Sequence, residues 1–289
     1  MAELANVRLS LTNTAENIVV VRAVLSGIAE SAGVDAGDLS DIRTAVSEAC
    51  NNVVMHAYGG EFGAMDVSIE LGEDVMLVIV RDRGFGIGEH TREDGPYADR
   101  IGLHVIRTLT REVCFEEPPG GGTHVSMEFA AHGLEALYPR LIAGPDLDLT
   151  GMMPRFTAAV SIAPVSLAQS IVPRLASTLA ARAHFSTDRL SDIQLLADAL
   201  TAHAVSAVCE QHVSFGISVR PRDLELRIAP LRLGQAEGLI QASDLDGLGR
   251  VIEKLADRHE ILAGESHETL ALSMLDQRSN LKGYASPAR

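Results

Sequence analysis

A carboxylate and a carboxamide stand four residues apart in the most strongly patterned part of the sequence, at Glu48 and Asn52. Apolar residues around them recur with a helical period from about Asp41, so they share one face of a predicted helix. Side chains four residues apart on a helix are neighbours, and both oxygens would therefore lie at the edge of the buried face. Such oxygens suit a Mg²⁺ ligand beside a general base. An ordinary polar edge of a surface helix is the alternative.

A second polar cluster follows a predicted β-hairpin. Two alternating stretches, 65–71 and 75–81, predict the paired strands, and the second runs directly into Asp82, Gly84 and Gly86. An acid at the end of a buried strand, followed by alternate glycines, lets the backbone turn sharply and approach a flat ligand. The carboxylate of Asp82 could accept a hydrogen bond from an exocyclic amine such as that of adenine. A plain surface turn is the alternative.

Two further signals suit an anionic ligand. Gly102 is predicted to open a helix over 103–109, where free N–H groups and the helix dipole favour phosphate, and Arg100 precedes it with a positive charge. The polar stretch before it, 89–99, is predicted to be a mobile loop, within a short lid that spans 88–101. Thr123 opens the last strand of this half with a hydroxyl, although β-propensity alone would also explain a threonine there.

The elements that must position these residues begin with a short strand over 7–12 and a helix over 15–32 that ends at Gly33. Arg22 is a lone cation on this apolar helix. It indicates either a solvated helix edge or a contact with a partner protein.

Composition sets the class of protein. A length of 289 residues predicts two domains, and a net charge of −15 argues against a broad electrostatic hold on nucleic acid or on anionic membranes. The three cysteines, Cys50, Cys114 and Cys209, are widely spaced and fit reduced thiols. No signal peptide and no run of ~20 apolar residues is visible, which predicts a cytoplasmic protein.

Together, the order and spacing of these signals resemble the nucleotide site of the GHKL (histidine kinase-type) ATPase superfamily. Within it, the likeness is greatest to the anti-sigma-factor serine/threonine-protein kinases of bacterial sporulation and stress response. The residues that match the family's motifs are 47–58, 80–87 and 122–125, and the likeness extends over about residues 5–130. The resemblance implies an α+β fold, a two-layer α/β sandwich with a mixed sheet on one face and helices on the other.

The resemblance also implies roles for the catalytic pair. Asn52 would hold Mg²⁺, and Glu48 would activate a serine or threonine hydroxyl on an anti-sigma antagonist protein. The implied function is that of an ATP-binding anti-sigma factor in transcription regulation, which binds a sigma factor and phosphorylates the antagonist.

The remaining residues would bind ATP. Asp82 would accept the adenine amine with support from Thr123 through water, Gly84 and Gly86 would shape the pocket, and Gly102 would receive the phosphates. Where the family commonly carries two or more glycines before the phosphate-binding helix, this chain has one, within residues 100–103. An ATP-responsive protein-binding module without turnover is therefore the alternative function.

The second half is predicted to repeat the first. Residues 1–130 would form the ATP-binding domain, 131–155 a linker and 156–289 a degenerate copy, because 191–193 repeat the letters of 40–42 and 251–252 those of 105–106.

When the two halves are aligned, the second half lacks the predicted site residues. The alignment places Ala199, His203 and Pro230 at the positions of Glu48, Asn52 and Asp82, and keeps Gly234 at that of Gly86; Asp198 would replace Glu48 only if the register slipped. The copy would form an intramolecular pseudo-dimer or a separate docking module, and homodimerisation through either half is also open.

Overall fold

The computed structural model describes residues 5–72, 74–86, 97–130, 157–245 and 249–276, and for 5–6 and 97–100 only the backbone. The predicted linker 131–155 and most of the predicted loop 89–99 lie outside the described residues, and so do residues 277–289 of the polar C-terminal stretch that begins at Asp276.

Each half begins with a strand and two long helices. The first half contains β1 Ala5–Thr12, α1 Ala15–Ala32, α2 Ala36–Asn52, β2 Ala64–Leu71, β3 Val75–Asp82, α3 Tyr97–Leu109, β4 Glu112–Glu116 and β5 His124–Ala130. The second contains β6 Ala158–Ala163, α4 Ala168–Arg182, α5 Thr187–Ala202, α6 Ala204–Ala207, β7 Val213–Arg220, β8 Asp223–Leu231, α7 Gln235–Ala242, β9 Asp244–Leu245, β10 Gly249–Arg250, α8 Val251–Leu255, β11 Arg258–Ala263 and β12 Glu268–Leu275.

Ten of the described strands form one sheet in the order β4-β5-β3-β2-β1-β6-β7-β8-β12-β11. Every pair in it is antiparallel, including β1 and β6 at the centre. In β3 alternate residues are buried, as expected for a sheet whose one face packs on helices. The buried strand residues form one core with the apolar faces of α1, α2, α4 and α5. This is the predicted α+β, two-layer architecture. The mixed sheet that the resemblance implied is wrong for the described strands, since each neighbouring pair in the ten-stranded sheet is antiparallel.

Most predicted elements of the first half lie within two residues of their observed bounds, and two helix starts are wrong. Helix α2 begins at Ala36 instead of near Asp41, because the Asp35 side chain accepts a hydrogen bond from Gly37 N–H at 2.7 Å and caps the helix earlier. Helix α3 begins at Tyr97, so Gly102 lies inside the helix and does not open it.

Candidate functional site

The end of helix α2 carries the first pair of site residues. Ala45, Val46 and Ala49 are fully buried in the core, whereas Glu48 and Asn52 are only partly buried. A π-helical turn, Val53–Ala57, follows directly. Single π turns occur mostly inside or beside α-helices and frequently at functional sites. This one ends with Ala57 O accepting a hydrogen bond from Phe85 N–H at 2.9 Å, and it thereby joins α2 to the loop after β3.

Asp82 lies at the bottom of the cleft between this turn and the sheet. Its side-chain Oδ1 accepts hydrogen bonds from Gly84 N–H at 2.9 Å and from Thr123 N–H at 3.2 Å. Burial raises the pKa of this carboxyl group, and the two backbone N–H groups oppose that rise. Asp82 is 4% exposed, so its carboxylate is held in a fixed orientation at the end of β3.

The glycines around Asp82 permit close backbone contacts. A Cβ added at Gly84 would lie 1.9 Å from Ala57 O, and one added at Gly122 would lie 2.2 Å from Asp82 O. Gly86 has a φ of 84°, a left-handed conformation that favours glycine. The floor and rim of the cleft are therefore built from backbone, and the role of Gly84 and Gly86 in shaping a nucleotide pocket stays a prediction.

Tyr58 holds the loop after β3, a role that the sequence did not indicate. Its hydroxyl donates to Ala64 O at 2.6 Å and accepts from Arg83 N–H at 2.9 Å. Burial raises the pKa of the phenol, which keeps it protonated and able to donate. Gly63 is required beside the ring, since a Cβ there would lie 2.2 Å from ring atoms of Tyr58.

A cavity of about 540 Å³ opens above Asp82. It brings together four of the predicted site residues, Asn52, Asp82, Gly86 and Thr123. The volume is in the range of small-molecule and cofactor sites. Its wall also includes residues that were not predicted: Met55, His56, Leu103, Arg107 and Phe115. His56 follows Asn52 by four positions, which is the one signal in the sequence that could have found it.

Glu48 and Gly102 meet beside this cavity. A Cβ added at Gly102 would lie 3.1 Å from Glu48 Oε2 and 3.9 Å from Asn52 Oδ1. Gly102 is buried within α3, so its N–H lies inside the helix and not at its end. The predicted phosphate cradle at a helix start is therefore corrected to a close contact between α3 and the Glu48–Asn52 pair. The side chain of Arg100 lies outside the described residues.

Asn52 fits the role of a ligand to a hydrated divalent cation, with the Glu48 carboxylate beside it. Glu48 Oε2 and Asn52 Oδ1 both lie within 4 Å of one point, the Cβ position at Gly102. The Asn52 carboxamide supplies a hard oxygen, and Mg²⁺ usually completes its shell with waters and substrate phosphates.

Arg22 packs onto α2 and so has a structural contact. Its Nε donates to Ser47 Oγ at 2.8 Å, one residue before Glu48. A contact between Arg22 and a partner protein stays a prediction.

Comparison with known proteins identifies the first half. The histidine kinase-like ATPase domain family matches residues 11–129. The serine-protein kinase RsbW of Bacillus licheniformis is 37% identical over 112 residues, which covers 34% of this chain and 70% of that protein. The chain belongs to the RsbW family of histidine kinase-like ATPases.

A second RsbW sequence agrees with this assignment. RsbW of Bacillus velezensis is 36% identical over 119 residues, which covers 36% of this chain and 74% of that protein. The histidine kinase domain of a blue-light activated kinase from Erythrobacter litoralis matches at 23% identity and a TM-score of 0.29, over 36% of this chain and 50% of that one. That score is too low to establish a common overall arrangement.

Membership of an ATPase family implies that the chain binds ATP, and the cavity above Asp82 is the candidate site. None of the described helices is both long and apolar enough to cross a lipid bilayer.

Proposed function

We propose that the chain is an ATP-dependent serine/threonine-protein kinase that acts as an anti-sigma factor in the cytoplasm. It binds a sigma factor and phosphorylates a serine or threonine on an anti-sigma antagonist protein. The RsbW relatives support this function, and the observation that carries it is the convergence of the Glu48 and Asn52 oxygens beside the cavity that ends at Asp82.

ATP binds with its adenine above Asp82 in this proposal. The carboxylate accepts a hydrogen bond from the exocyclic amine, and Thr123 supports it through water. Val53 and Val125 line the same cavity and are buried, so they supply apolar contacts to the ring. Gly84 and Gly86 keep the backbone close to the base.

Asn52 holds Mg²⁺ at the other end of the cavity. When bound, the ion neutralises charge on the phosphates and orients them for transfer. Gly102 lets α3 lie against this end, and Arg100, two residues earlier in the sequence, is the proposed source of positive charge for the phosphates. Phosphoryl transfer needs mainly such positioning and charge neutralisation from a protein.

Glu48 is the general base. Its carboxylate is partly exposed, so a hydroxyl on a separate protein reaches it from solvent. The carboxylate accepts the hydroxyl proton as the hydroxyl oxygen forms its bond to the γ-phosphorus and the bond to the leaving oxygen of ADP breaks.

Two substitutions test the proposal. Glu48→Ala is expected to keep Mg²⁺–ATP binding in calorimetry and to lose transfer of labelled phosphate to the antagonist. Asp82→Ala is expected to lose both. Transfer at the wild-type rate by Glu48→Ala would refute the assigned base.

A second candidate function is an ATP-responsive binding module without turnover. The single glycine in residues 100–103 favours it. In that case Glu48→Ala would leave control of the sigma factor unchanged, while Asp82→Ala would abolish its response to ATP.

A further inference from the structure

We infer that residues 157–276 repeat the fold of the first half with a nucleotide cleft closed by their own residues, and that they pair with the first half in place of a second chain. The chain is then a self-paired unit with one nucleotide site. This inference concerns the second half and holds with or without kinase turnover.

The order of the strands in the sheet is the same in the two halves. From the centre of the sheet outward, the first half runs β1-β2-β3-β5-β4 and the second runs β6-β7-β8-β12-β11, each strand in the same place in its half. The two halves meet where β1 pairs with β6, and we call this boundary, together with the neighbouring helices α1 and α4, the seam. At the seam β1 and β6 are antiparallel, with Leu9 opposite Val160 and Val7 opposite Ile162. Two like units joined by antiparallel equivalent strands have the geometry of an isologous twofold contact.

The long helices of the two halves also correspond in their ends and in their buried residues. Helices α1 and α4 are each followed by a residue in the left-handed conformation, Gly33 with φ 71° and His184 with φ 62°. Left-handed backbone is uncommon at a residue other than glycine. Its presence at His184 therefore indicates that the chain leaves α4 in the same way as it leaves α1. Ile42 on α2 and Ile193 on α5, which the sequence alignment equates, are both 1% exposed.

The two halves make close contacts between α1 and α4, beside an open groove of about 720 Å³ that residues of α1, α2, α4 and α5 line. A Cβ at Gly27 of α1 would lie 2.4 Å from Ser170 O of α4. The hydroxyls of Ser31 and Ser170 are 2.5 Å apart, and the Arg182 guanidinium donates to Asn17 Oδ1 at 2.8 Å. These contacts join α1 and α4 along their length, while β6 occupies the edge of β1 that another chain would otherwise use.

The second cleft is filled by its own chain. Pro230 stands where β3 carries Asp82, and Glu268 stands at the start of the last strand, as Thr123 does in the first half. The Glu268 carboxylate accepts hydrogen bonds from Gly234 N–H at 2.9 Å and Ala236 N–H at 3.1 Å. An internal anion thus occupies the backbone donors of this loop.

Helix α7 closes the rest of this cleft. It starts directly after Gly234, and Ala236, Leu239 and Ile240 on its inner face are at most 2% exposed. Ala199 and His203, at the positions of Glu48 and Asn52, offer no carboxylate or carboxamide oxygen. At these aligned positions the described residues of this half therefore offer no equivalent of the Glu48–Asn52 pair, and the apolar face of α7 packs where the first half has its open cavity.

Stoichiometry and mass test the inference directly. Calorimetric titration with Mg²⁺–ATP is expected to give one site per chain, and light scattering across a range of protein concentrations is expected to give the monomer mass of 30.8 kDa. Two sites per chain would overturn the closed cleft, and a dimer of twice that mass would overturn the self-paired unit. No ATP binding at all would refute both the proposed function and the single nucleotide site. The pairing of the two halves is then judged by the cross-link described next.

A cross-link tests the seam. Ser31→Cys with Ser170→Cys, in a chain with Cys114→Ser and Cys209→Ser, is expected to form a disulfide within one chain under mild oxidation. A non-reducing gel then shows a monomer band of altered mobility. A disulfide-linked dimer, or free thiols after oxidation, would overturn the pairing of α1 with α4 within the chain.

A matched pair of substitutions tests the closure by Glu268. Glu268→Gln is expected to lower the melting temperature by a few degrees, since it replaces a charged acceptor at two backbone N–H groups. Glu265→Gln, at an exposed position three residues earlier, is expected to leave it unchanged. Equal melting temperatures for the two variants would overturn the role of Glu268.

Discussion

Glu48 and Gly102 form a close contact between α2 and α3: a Cβ at Gly102 would lie 3.1 Å from Glu48 Oε2. The distance between the two helices at this point is therefore set by the absence of a side chain at position 102. Since Asn52 Oδ1 is 3.9 Å from the same position, the contact also fixes where the proposed Mg²⁺ ligand lies relative to α3.

Gly102→Ala is expected to slow phosphoryl transfer by about tenfold or more while it changes ATP affinity less, because the added methyl group displaces the Glu48 carboxylate by a few tenths of an ångström. The gain in helix propensity, up to about 1 kcal/mol, partly offsets the strain in stability measurements. The rate of labelled phosphate transfer and the calorimetric affinity separate the two effects. Gly238→Ala in α7 is the control for helix propensity alone. Transfer at the wild-type rate by Gly102→Ala would show that the contact does not position Glu48.

Gly84→Ala is expected to destabilise the protein by about 2 kcal/mol or more and to abolish ATP binding, because its Cβ would lie 1.9 Å from Ala57 O. Gly120→Ala is the matched control, since nothing lies within 4 Å of its Cβ position. Urea unfolding and calorimetry of both variants give the comparison. Equal stabilities would mean that the loop after β3 does not pack on the π-helical turn.

Much of this site follows from local patterns in the sequence. Strict alternation in β3 placed Asp82 at the end of a buried strand, and the apolar face of α2 placed Glu48 and Asn52 at its edge. Both signals come from burial against one core, which is the strongest constraint on a two-layer fold.

Other features depend on contacts that no local pattern encodes. The start of α3 at Tyr97 was missed because Gly95 and Pro96 indicated a loop up to Gly102. The roles of Tyr58 and Gly122 depend on neighbours 25 and 40 positions away, Arg83 and Asp82 respectively. The π-helical turn was also missed, since its composition is that of an ordinary helix.

Tyr58→Phe is expected to weaken ATP binding severalfold and to lower the free energy of unfolding by about 1 to 2 kcal/mol. The substitution removes the donor to Ala64 O and the acceptor for Arg83 N–H, and both backbone groups then lose a partner. Titration of ATP and urea unfolding measure the two effects. Thr108→Val, which removes an exposed hydroxyl bonded to His104 O of its own helix, is the control. Unchanged ATP affinity in Tyr58→Phe would argue against a positioning role.

ATP affinity is expected to fall as the pH is lowered, because the charged form of Asp82 is the better acceptor for the adenine amine. Burial raises the pKa of Asp82, so this fall begins at a higher pH than it would for an ordinary aspartate. Stability changes in the opposite sense: the folded state holds this proton more tightly than the unfolded state, so protonation relieves a cost of folding. Asp82→Asn is expected to bind ATP more weakly at neutral pH and to lose this part of the pH dependence. The difference between the two titrations cancels the titration of ATP itself, and parallel profiles would contradict the assignment to Asp82.

Cys50 is expected to resist thiol reagents in the native protein. It is 0% exposed and burial raises its pKa to about 12, whereas Cys114 and Cys209 are exposed. Since the thiolate is the reactive form, a colorimetric thiol assay near pH 8 should count two of the three cysteines in the native protein and the third on unfolding.

The slow reaction of Cys50 then reports local opening of α2, two residues from both Glu48 and Asn52. Mg²⁺–ATP joins α2 to β3 in the proposed site and is expected to slow this reaction further. Asp82→Ala should show no such slowing, because it cannot hold the nucleotide. Equal protection of Cys50 by Mg²⁺–ATP in both proteins would place the nucleotide away from Asp82.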